Sequence, residues 1–263
     1  MRTLGLLLLS ATALLAVDQP QLTQAQIDDI IQKFAAKEAA FSQARENYTY
    51  RQTARVMSLD DAGRTTGKWE IGADILFTPE GRRTEHVVYA PMSTLEAFQL
   101  TPEDMEDLRS VQPFVLTTNE LPKYLIRYLG KQQLDEINCY VFAVKPKKID
   151  SNGQRYFEGE VWVDDHDLQI VKTYGRGVGH TKDAENNKFP KFETYREQID
   201  GKYWFPTYTV ANSTLHFKDN DQRMKETVRY ENYKQFKAQS TITYGDEATD
   251  KDQKKDVKKP DKQ

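Results

Sequence analysis

Residues 155–175 constrain the fold of this chain more than any other stretch, because they combine a period-2 pattern with a sharp turn. Successive side chains of a strand point to opposite faces, and this run gives each face its own residues. The Asp-rich residues 164–167 follow and are typical of a turn, since Asp side chains bond nearby backbone amides. A second alternating run ends at Gly175, so a β-hairpin is predicted. The first strand alternates Phe157, Val161 and Val163 with Glu158, Glu160 and Trp162.

Similar alternating runs, separated by short turns rich in Gly, Asp and Pro, recur along most of the chain. Short turns between consecutive strands favour an antiparallel meander. We therefore predict a mainly β (α+β) fold in which about eleven strands form one curved antiparallel sheet. The predicted strands are residues 48–57, 69–77, 84–89, 124–133, 139–146, 155–163, 168–175, 189–198, 203–212, 215–218 and 224–236.

The two ends of the chain differ from this pattern. Residues 1–16 join a basic start, a short apolar run and small residues, as a cleaved secretory signal peptide does, and cleavage is expected after Ala13 or Ala16. The apolar run is shorter than the roughly 20 residues that a membrane-spanning helix needs. Residues 245–263 are Asp, Glu and Lys without aromatics after Tyr244, which predicts a disordered tail. Residues 17–244 then form one exported domain.

An amphipathic helix is predicted over residues 23–46. Thr23 and Gln26 have the spacing of a capping box, and apolar residues recur at helical intervals. The stripe is wide enough to pack on a sheet. A membrane-surface helix is the alternative, but the charges are mixed in sign. The apolar stripe consists of Ile27, Ile30, Ile31, Phe34 and Phe41; Lys33, Lys37, Glu38 and Arg45 are assigned to other faces.

Residues 91–123, called the covering segment below, interrupt the strand pattern. Thr101, Pro102, Glu103 and Asp104 give a helix start with a cap, a first-turn proline and acids at the positive end of the helix dipole. An apolar, partly helical insertion between two meanders is expected to lie across the concave face of the sheet.

Composition excludes some functions. The formal net charge is -3, so no electrostatic attraction to nucleic acid is implied. Cys139 is the single cysteine and lies in an apolar run, which favours a small core residue over a reactive thiol. The chain carries 14 Tyr and 12 Phe, enough large side chains for one core or for a ligand-lined cavity as well.

Catalytic motifs are absent from the sequence. It contains no Gly-x-Ser-x-Gly motif, no His-Glu-x-x-His motif and no cysteine pair. Residues 164–167 offer metal-ligand types, but neighbouring residues at a hairpin tip rarely converge on one ion. Glu158 and Glu160 lie about 6–7 Å apart on one strand face, within the range of glycoside hydrolases. A strand face exposed to solvent is the simpler interpretation of this glutamate pair. We therefore expect that the protein is not an enzyme and that it binds no cofactor and no metal.

The order of elements, together with two short motifs, resembles the LolA-like lipoprotein-carrier family over most of residues 24–237. Residues 159–164 followed by 168–172 are similar to that family's mid-barrel hairpin. Residues 203–206 resemble the next strand in the broader group of outer-membrane lipoprotein-sorting proteins. The Arg-Pro pair of proteobacterial carriers is missing after the second strand. Arg82 and Arg83 are the nearest basic residues. They are therefore the candidates for the arginine that acts in this family as a latch on a helical lid.

The resemblance implies a half-open antiparallel barrel whose hydrophobic cavity binds acyl chains beneath a helical lid. The cavity residues implied are Tyr50, Trp69, Ile71, Ile75, Phe77, Tyr128, Phe142, Trp162 and Phe205. The lid residues implied are Met105, Leu108, Val111, Phe114 and Leu116.

The resulting expectation is a monomeric periplasmic carrier that moves acylated lipoproteins or related lipids to the outer membrane. Its partners would be an inner-membrane donor and an outer-membrane acceptor protein. Two alternatives remain open at this point. One is a lipid- or lipoprotein-sensing regulatory module on the same fold, and the other is a hydrolase that uses Glu158 and Glu160.

Overall fold

The structure is a computed structural model that describes residues 22–181 and 189–236. The predicted signal peptide, residues 1–16, and the predicted tail, residues 245–263, lie outside the described residues. The strands within them are β1 Tyr48–Leu59, β2 Thr65–Phe77, β3 Arg83–Tyr89, β4 Tyr124–Leu134, β5 Ile137–Pro146, β6 Arg155–Asp164, β7 Ile170–Gly179, β8 Phe192–Ile199, β9 Tyr203–His216 and β10 Asp221–Gln235.

These ten strands of the described residues form one antiparallel sheet in the order β3-β2-β1-β10-β9-β8-β7-β6-β5-β4. The first three strands of the chain join the other seven where β1 pairs with β10. Because β3 and β4 lie at opposite ends of this order, the sheet is not closed. The predicted mainly β, half-open barrel-like fold is confirmed.

The strand count differs from the expected eleven because β9 is continuous. The polar residues Asn212, Ser213 and Thr214 suggested a break between residues 203–212 and 215–218. In the structure they pair in register with β10, and Ser213 lies opposite Met224. Hydrogen bonds to the neighbouring strand thus keep this polar stretch extended, although its composition alone does not favour a strand.

Helix α1, Gln24–Arg45, begins with the predicted capping box of Thr23 and Gln26. Its buried side packs on the concave face of the sheet, with the Phe34 and Phe142 rings 5.4 Å apart. The assignment of Glu38 to an outer face was wrong. Its side chain is fully buried and bonds the backbone N–H of Ile170 and the guanidinium of Arg196.

The covering segment consists of short pieces. Helix α2, Pro102–Glu106, has the predicted cap at Thr101 and continues into a π-helical turn at Asp107–Val111. A 3₁₀ turn at Leu121–Lys123 leads into β4. None of the helices among residues 22–181 and 189–236 is long and apolar enough to cross a membrane.

Candidate functional site

The concave face is shared between two covers. Helix α1 lies over the part of the sheet that contains β4 to β7, where its Phe34 packs with Phe142 and Val161. The first part of the covering segment lies over β1, β2 and β10, where Leu108 shares a cluster with Ile75. Its later part extends over β6, where Phe114 stacks on Phe157. A helix cover and an irregular cover therefore sit side by side on one apolar surface.

Five of the predicted cavity residues meet beneath the covering segment. They alternate inward along β1 and β2 and belong to the same apolar cluster as Met105 and Leu108. Only a small gap, ≈ 20 Å³ in volume, remains between these two residues and Ile71 and Ile75. The covering segment thus occupies the space above the sheet almost completely. The five residues are Tyr50, Trp69, Ile71, Ile75 and Phe77.

The other predicted cavity residues lie elsewhere. Phe142 is fully buried under Phe34 in the middle of α1, and Phe205 under Phe41 near its C-terminal end. Tyr128 is half-buried beside Phe142. Trp162 lies on the opposite face of the sheet, in a cluster with Val141, which separates it from the concave surface. The alternation along β6 already places Trp162 and Phe157 on opposite faces of the sheet. The prediction that Trp162 lines the cavity is therefore wrong.

The predicted lid residues all pack against the core of the structure. Leu108, Val111, Phe114 and Leu116 are buried, whereas Met105 is half-buried over β2. The Phe114 ring stacks on Phe157 at 4.5 Å. The segment therefore closes the concave face with the residues that the sequence singled out.

Three backbone carbonyls of the covering segment accept hydrogen bonds from side chains of the sheet. Gln52 Nε2 donates to the carbonyl of Leu108 at 3.3 Å. Thr194 Oγ1 donates to the carbonyl of Gln112 at 2.9 Å. An Arg196 guanidinium nitrogen donates to the carbonyl of Phe114. Helical turns that end early leave such carbonyls free, so these bonds fix the segment in place.

Arg83 reaches the covering segment through intermediates, and Arg82 does not. The Arg83 guanidinium donates to Gln52 Oε1 at 2.6 Å and pairs with Glu85, which in turn bonds Arg109 of the segment at 3.1 Å. Arg82 is exposed in the turn that follows β2.

Arg196 is the arginine that bonds a carbonyl of the segment directly, and it was missed by the sequence reasoning. The alternation in the sequence could have indicated it, because Phe192, Thr194 and Arg196 lie on the same inward-facing side of β8.

A buried ion pair anchors the middle of the segment. Arg155 of β6 bonds both carboxylate oxygens of Asp107, at 2.8 and 2.6 Å. Gly177 leaves room for this pair, because a Cβ there would lie 2.0 Å from the Asp107 carboxylate. Burial raises the pKa of the Asp107 carboxyl to about 6, and the Arg155 guanidinium opposes the shift.

The two glutamates of the hydrolase alternative lie half-exposed on the outer face of β6. Glu158 forms a cross-strand ion pair with Arg176 at 3.4 Å. The Asp-rich residues form the predicted turn between β6 and β7, where Asp167 accepts hydrogen bonds from Gln198 and from the Trp204 indole. Glu158 and Arg176 also line a cavity of ≈ 590 Å³ that includes Ser213 and His216, but among the described residues the His216 ring bonds Asp221 and not Glu158.

Fold and site together define a class: an open antiparallel sheet whose apolar concave face is covered by one helix and by one irregular segment of short helical pieces. No family model matches the sequence, and no curated protein matches it.

Solved structures with a similar architecture include a DUF1329 family protein from Desulfovibrio piger ATCC 29098, with a TM-score of 0.40 and 13% identity over 80% of this chain and 95% of that one. A putative outer membrane lipoprotein-sorting protein domain from Vibrio parahaemolyticus gives 0.34 and 11% over 81% and 95%. MucB gives 0.27 and 14% over 79% and 93%.

Proposed function

We propose that this protein is a periplasmic carrier that binds acyl chains of lipoproteins or related lipids on its concave face. One observation carries the proposal: the apolar surface of β1 and β2 is covered by short irregular pieces, with a gap of only ≈ 20 Å³ beneath them. An acyl chain that binds there must displace Met105 and Leu108. The covering segment is then the lid of the site.

The energies are compatible with such an exchange. Burying a 16-carbon chain yields on the order of 12 kcal/mol at about 0.8 kcal/mol per CH₂. Short pieces open at a lower cost than the sheet they cover, because each buries little surface. Complete burial of three chains would exceed the practical limit of non-covalent affinity and would prevent release. A carrier therefore gains by spending part of the binding energy on opening its lid.

The proposed location and partners follow from the same function. Residues 1–16 would direct export and be removed, and residues 17–244 would form the soluble carrier domain. A donor protein in the inner membrane would load the cargo, and an acceptor at the outer membrane would receive it. Glu158 and Glu160 have no part in this function, since they lie on the outer face.

A pair of variants on β2 tests the proposal. Trp69 points to the concave face, whereas Leu76 points to the other face and is 39% exposed. Trp69→Glu places a charge where the acyl chain would lie, so we expect it to abolish binding of an environment-sensitive fatty-acid probe. Leu76→Glu, the matched control, should keep probe binding. Equal binding by both variants, with melting temperatures unchanged, would contradict the site.

A further inference from the structure

A second cavity lies between the covering segment and strands β9 and β10, and its walls are of two kinds. Its volume is ≈ 40 Å³, enough for a group the size of a few water molecules. One side is polar and carries Asp104, Asp107, Gln112 and Glu226. The other side is apolar and mostly aromatic or aliphatic. It includes Phe98, Leu100, Phe192, Leu215, Phe217 and Met224.

The polar side carries more negative than positive charge. Asp107 is paired with Arg155 at 2.6 Å, which leaves two of the three carboxylates without a basic partner within 4 Å among residues 22–181 and 189–236. Asp104 accepts hydrogen bonds from the Thr101 N–H and hydroxyl. Glu226 is buried in β10 and is bonded by the neutral side-chain amide of Gln112. A cation is the group that this arrangement lacks.

An independent observation points to the same missing group. The Gln112 side chain lines the cavity and is only 3% exposed. Its Nε2 donates to Glu226, but its Oε1 is buried and accepts no hydrogen bond from the part of the chain that the structure describes. A buried acceptor without a donor is unfavourable, and here it stands beside a carboxylate that also accepts.

We propose that this cavity is a binding site for a small amphipathic primary amine. The ammonium group donates to the Glu226 carboxylate and to Gln112 Oε1, so both acceptors are satisfied by one cation. The ≈ 40 Å³ volume holds the ammonium group but not the whole ligand, so the apolar body lies outside it, along the half-buried Phe98 and Phe217.

Other occupants fit less well. An anion would meet two carboxylates that have no basic partner within 4 Å in the part of the chain that the structure describes. A divalent metal ion is disfavoured, because no group of three His, Cys, Asp or Glu residues among those described has the arrangement to hold one. Water alone satisfies Gln112 Oε1 but leaves the charge uncompensated, so it is the occupant that the experiment must distinguish.

This inference does not rest on the proposed carrier function, since it uses the closed covering segment. Benzylamine is a suitable probe, because it has no acyl chain. Its binding therefore does not depend on the proposed acyl-chain site. Benzyl alcohol has the same body with a neutral head, and benzoate has the same body with a negative one. Titration of the full chain at pH 8, followed by NMR chemical shifts, compares the three.

We expect benzylamine to bind about tenfold or more tightly than benzyl alcohol, and benzoate not to bind. Glu226→Gln should lower the benzylamine affinity by about tenfold or more and leave benzyl alcohol unaffected. Glu70→Gln is the matched control, because Glu70 is equally buried but paired with Arg55 and Lys68 outside the cavity. It should change neither affinity.

Equal affinity for benzylamine and benzyl alcohol would overturn the proposal and indicate a water site. So would an unchanged benzylamine affinity in Glu226→Gln, or an equal loss in Glu70→Gln. If Glu226→Gln does not fold, Asp104→Asn removes a charge from the same side of the cavity and makes the same comparison. An unchanged affinity in that variant would likewise count against the site.

Discussion

At the scale of single residues, Arg196 joins three parts of the molecule. Its guanidinium lies 3.2 Å from both carboxylate oxygens of Glu38 in α1 and also bonds the Phe114 carbonyl in the covering segment. Both charged side chains are essentially without solvent exposure. A charge buried this deeply is tolerated only while its partner is present.

Removing one member of this pair should therefore cost far more than removing both. We expect Arg196→Leu to lower the free energy of unfolding by about 3–5 kcal/mol, since it leaves the Glu38 carboxylate buried alone. The double variant with Glu38→Leu should recover most of that loss. Lys33→Ala, which breaks an exposed pair with Asp29, should cost less than about 1 kcal/mol. Urea unfolding measures all three, and a double variant as unstable as Arg196→Leu would contradict the argument.

Glu226 should make stability depend on pH. Burial raises the pKa of its carboxyl from 4.5 to about 7, so the folded protein binds the proton more tightly than the unfolded chain. The stabilisation is complete below about pH 4.5 and is lost as the pH rises to about 7, a loss on the order of 3 kcal/mol. Asp104 and Asp107 from the covering segment and Tyr230 from β10 share its surroundings, with Arg155 beside Asp107.

The Glu226→Gln variant lacks this loss. Its stability relative to the wild type should therefore increase between pH 5 and pH 8, as followed by urea unfolding at several pH values. Glu70→Gln provides the control, because the Arg55 guanidinium lowers the pKa of Glu70 and moves its titration below this range. A difference between Glu226→Gln and wild type that stays constant with pH would show that Glu226 is ionised throughout.

At the scale of elements, the covering segment is held mainly by side chains of the sheet. Gln52 bonds the Leu108 carbonyl and is itself bonded by Arg83. Arg83→Leu removes this support and should favour the open segment. We expect fatty-acid probe binding to become about two- to tenfold tighter, because about 0.5–1.5 kcal/mol of closing energy is lost. Arg82→Leu, at the exposed neighbouring position, should leave binding unchanged.

A fluorescence titration with the same probe distinguishes the two arginine variants. If Arg83→Leu binds no more tightly than Arg82→Leu, the segment does not oppose ligand entry. Its residues would then be ordinary core, and the apolar surface of β2 would have no role in binding.

Local patterns predicted the elements well because their causes are local. The capping box at Thr23 and the turn at residues 164–167 each depend on residues a few positions apart. Glu38 shows where this reasoning stops. It follows Phe34 by four positions and so shares the buried stripe, but its charge suggested an outer face. Its partner Arg196 is far away in sequence, and only the register of β8 brings the two together.

The candidate site was predicted in part for the same reason. Alternation along β2 grouped Trp69, Ile71 and Ile75 correctly on one face. It does not say which cover lies above a face, so Phe142 under α1 and Ile75 under the covering segment had the same signature. Bonds to backbone carbonyls, such as that from Arg196, depend on where the segment lies and have no local sequence signature.

At the scale of the whole molecule, we assign stability to the sheet and α1, and the proposed ligand binding to the covering segment. Helix α1 packs through Phe34 and Phe41 into two aromatic clusters of the core and should stay in place. The covering segment consists of a five-residue helix, a five-residue π-helical turn and a three-residue 3₁₀ turn. Elements this short are expected to open first.

The central claim is that an acyl chain replaces the covering segment on the concave face. Hydrogen exchange of residues 101–116, measured while a diacylated lipopeptide is added, tests it most directly. The same peptide without acyl chains is the control. We predict that the lipopeptide accelerates exchange in residues 101–116 and leaves β5, β6 and β7 unchanged, and that the control peptide does neither. Unchanged or slower exchange in residues 101–116 with lipopeptide bound would contradict the claim.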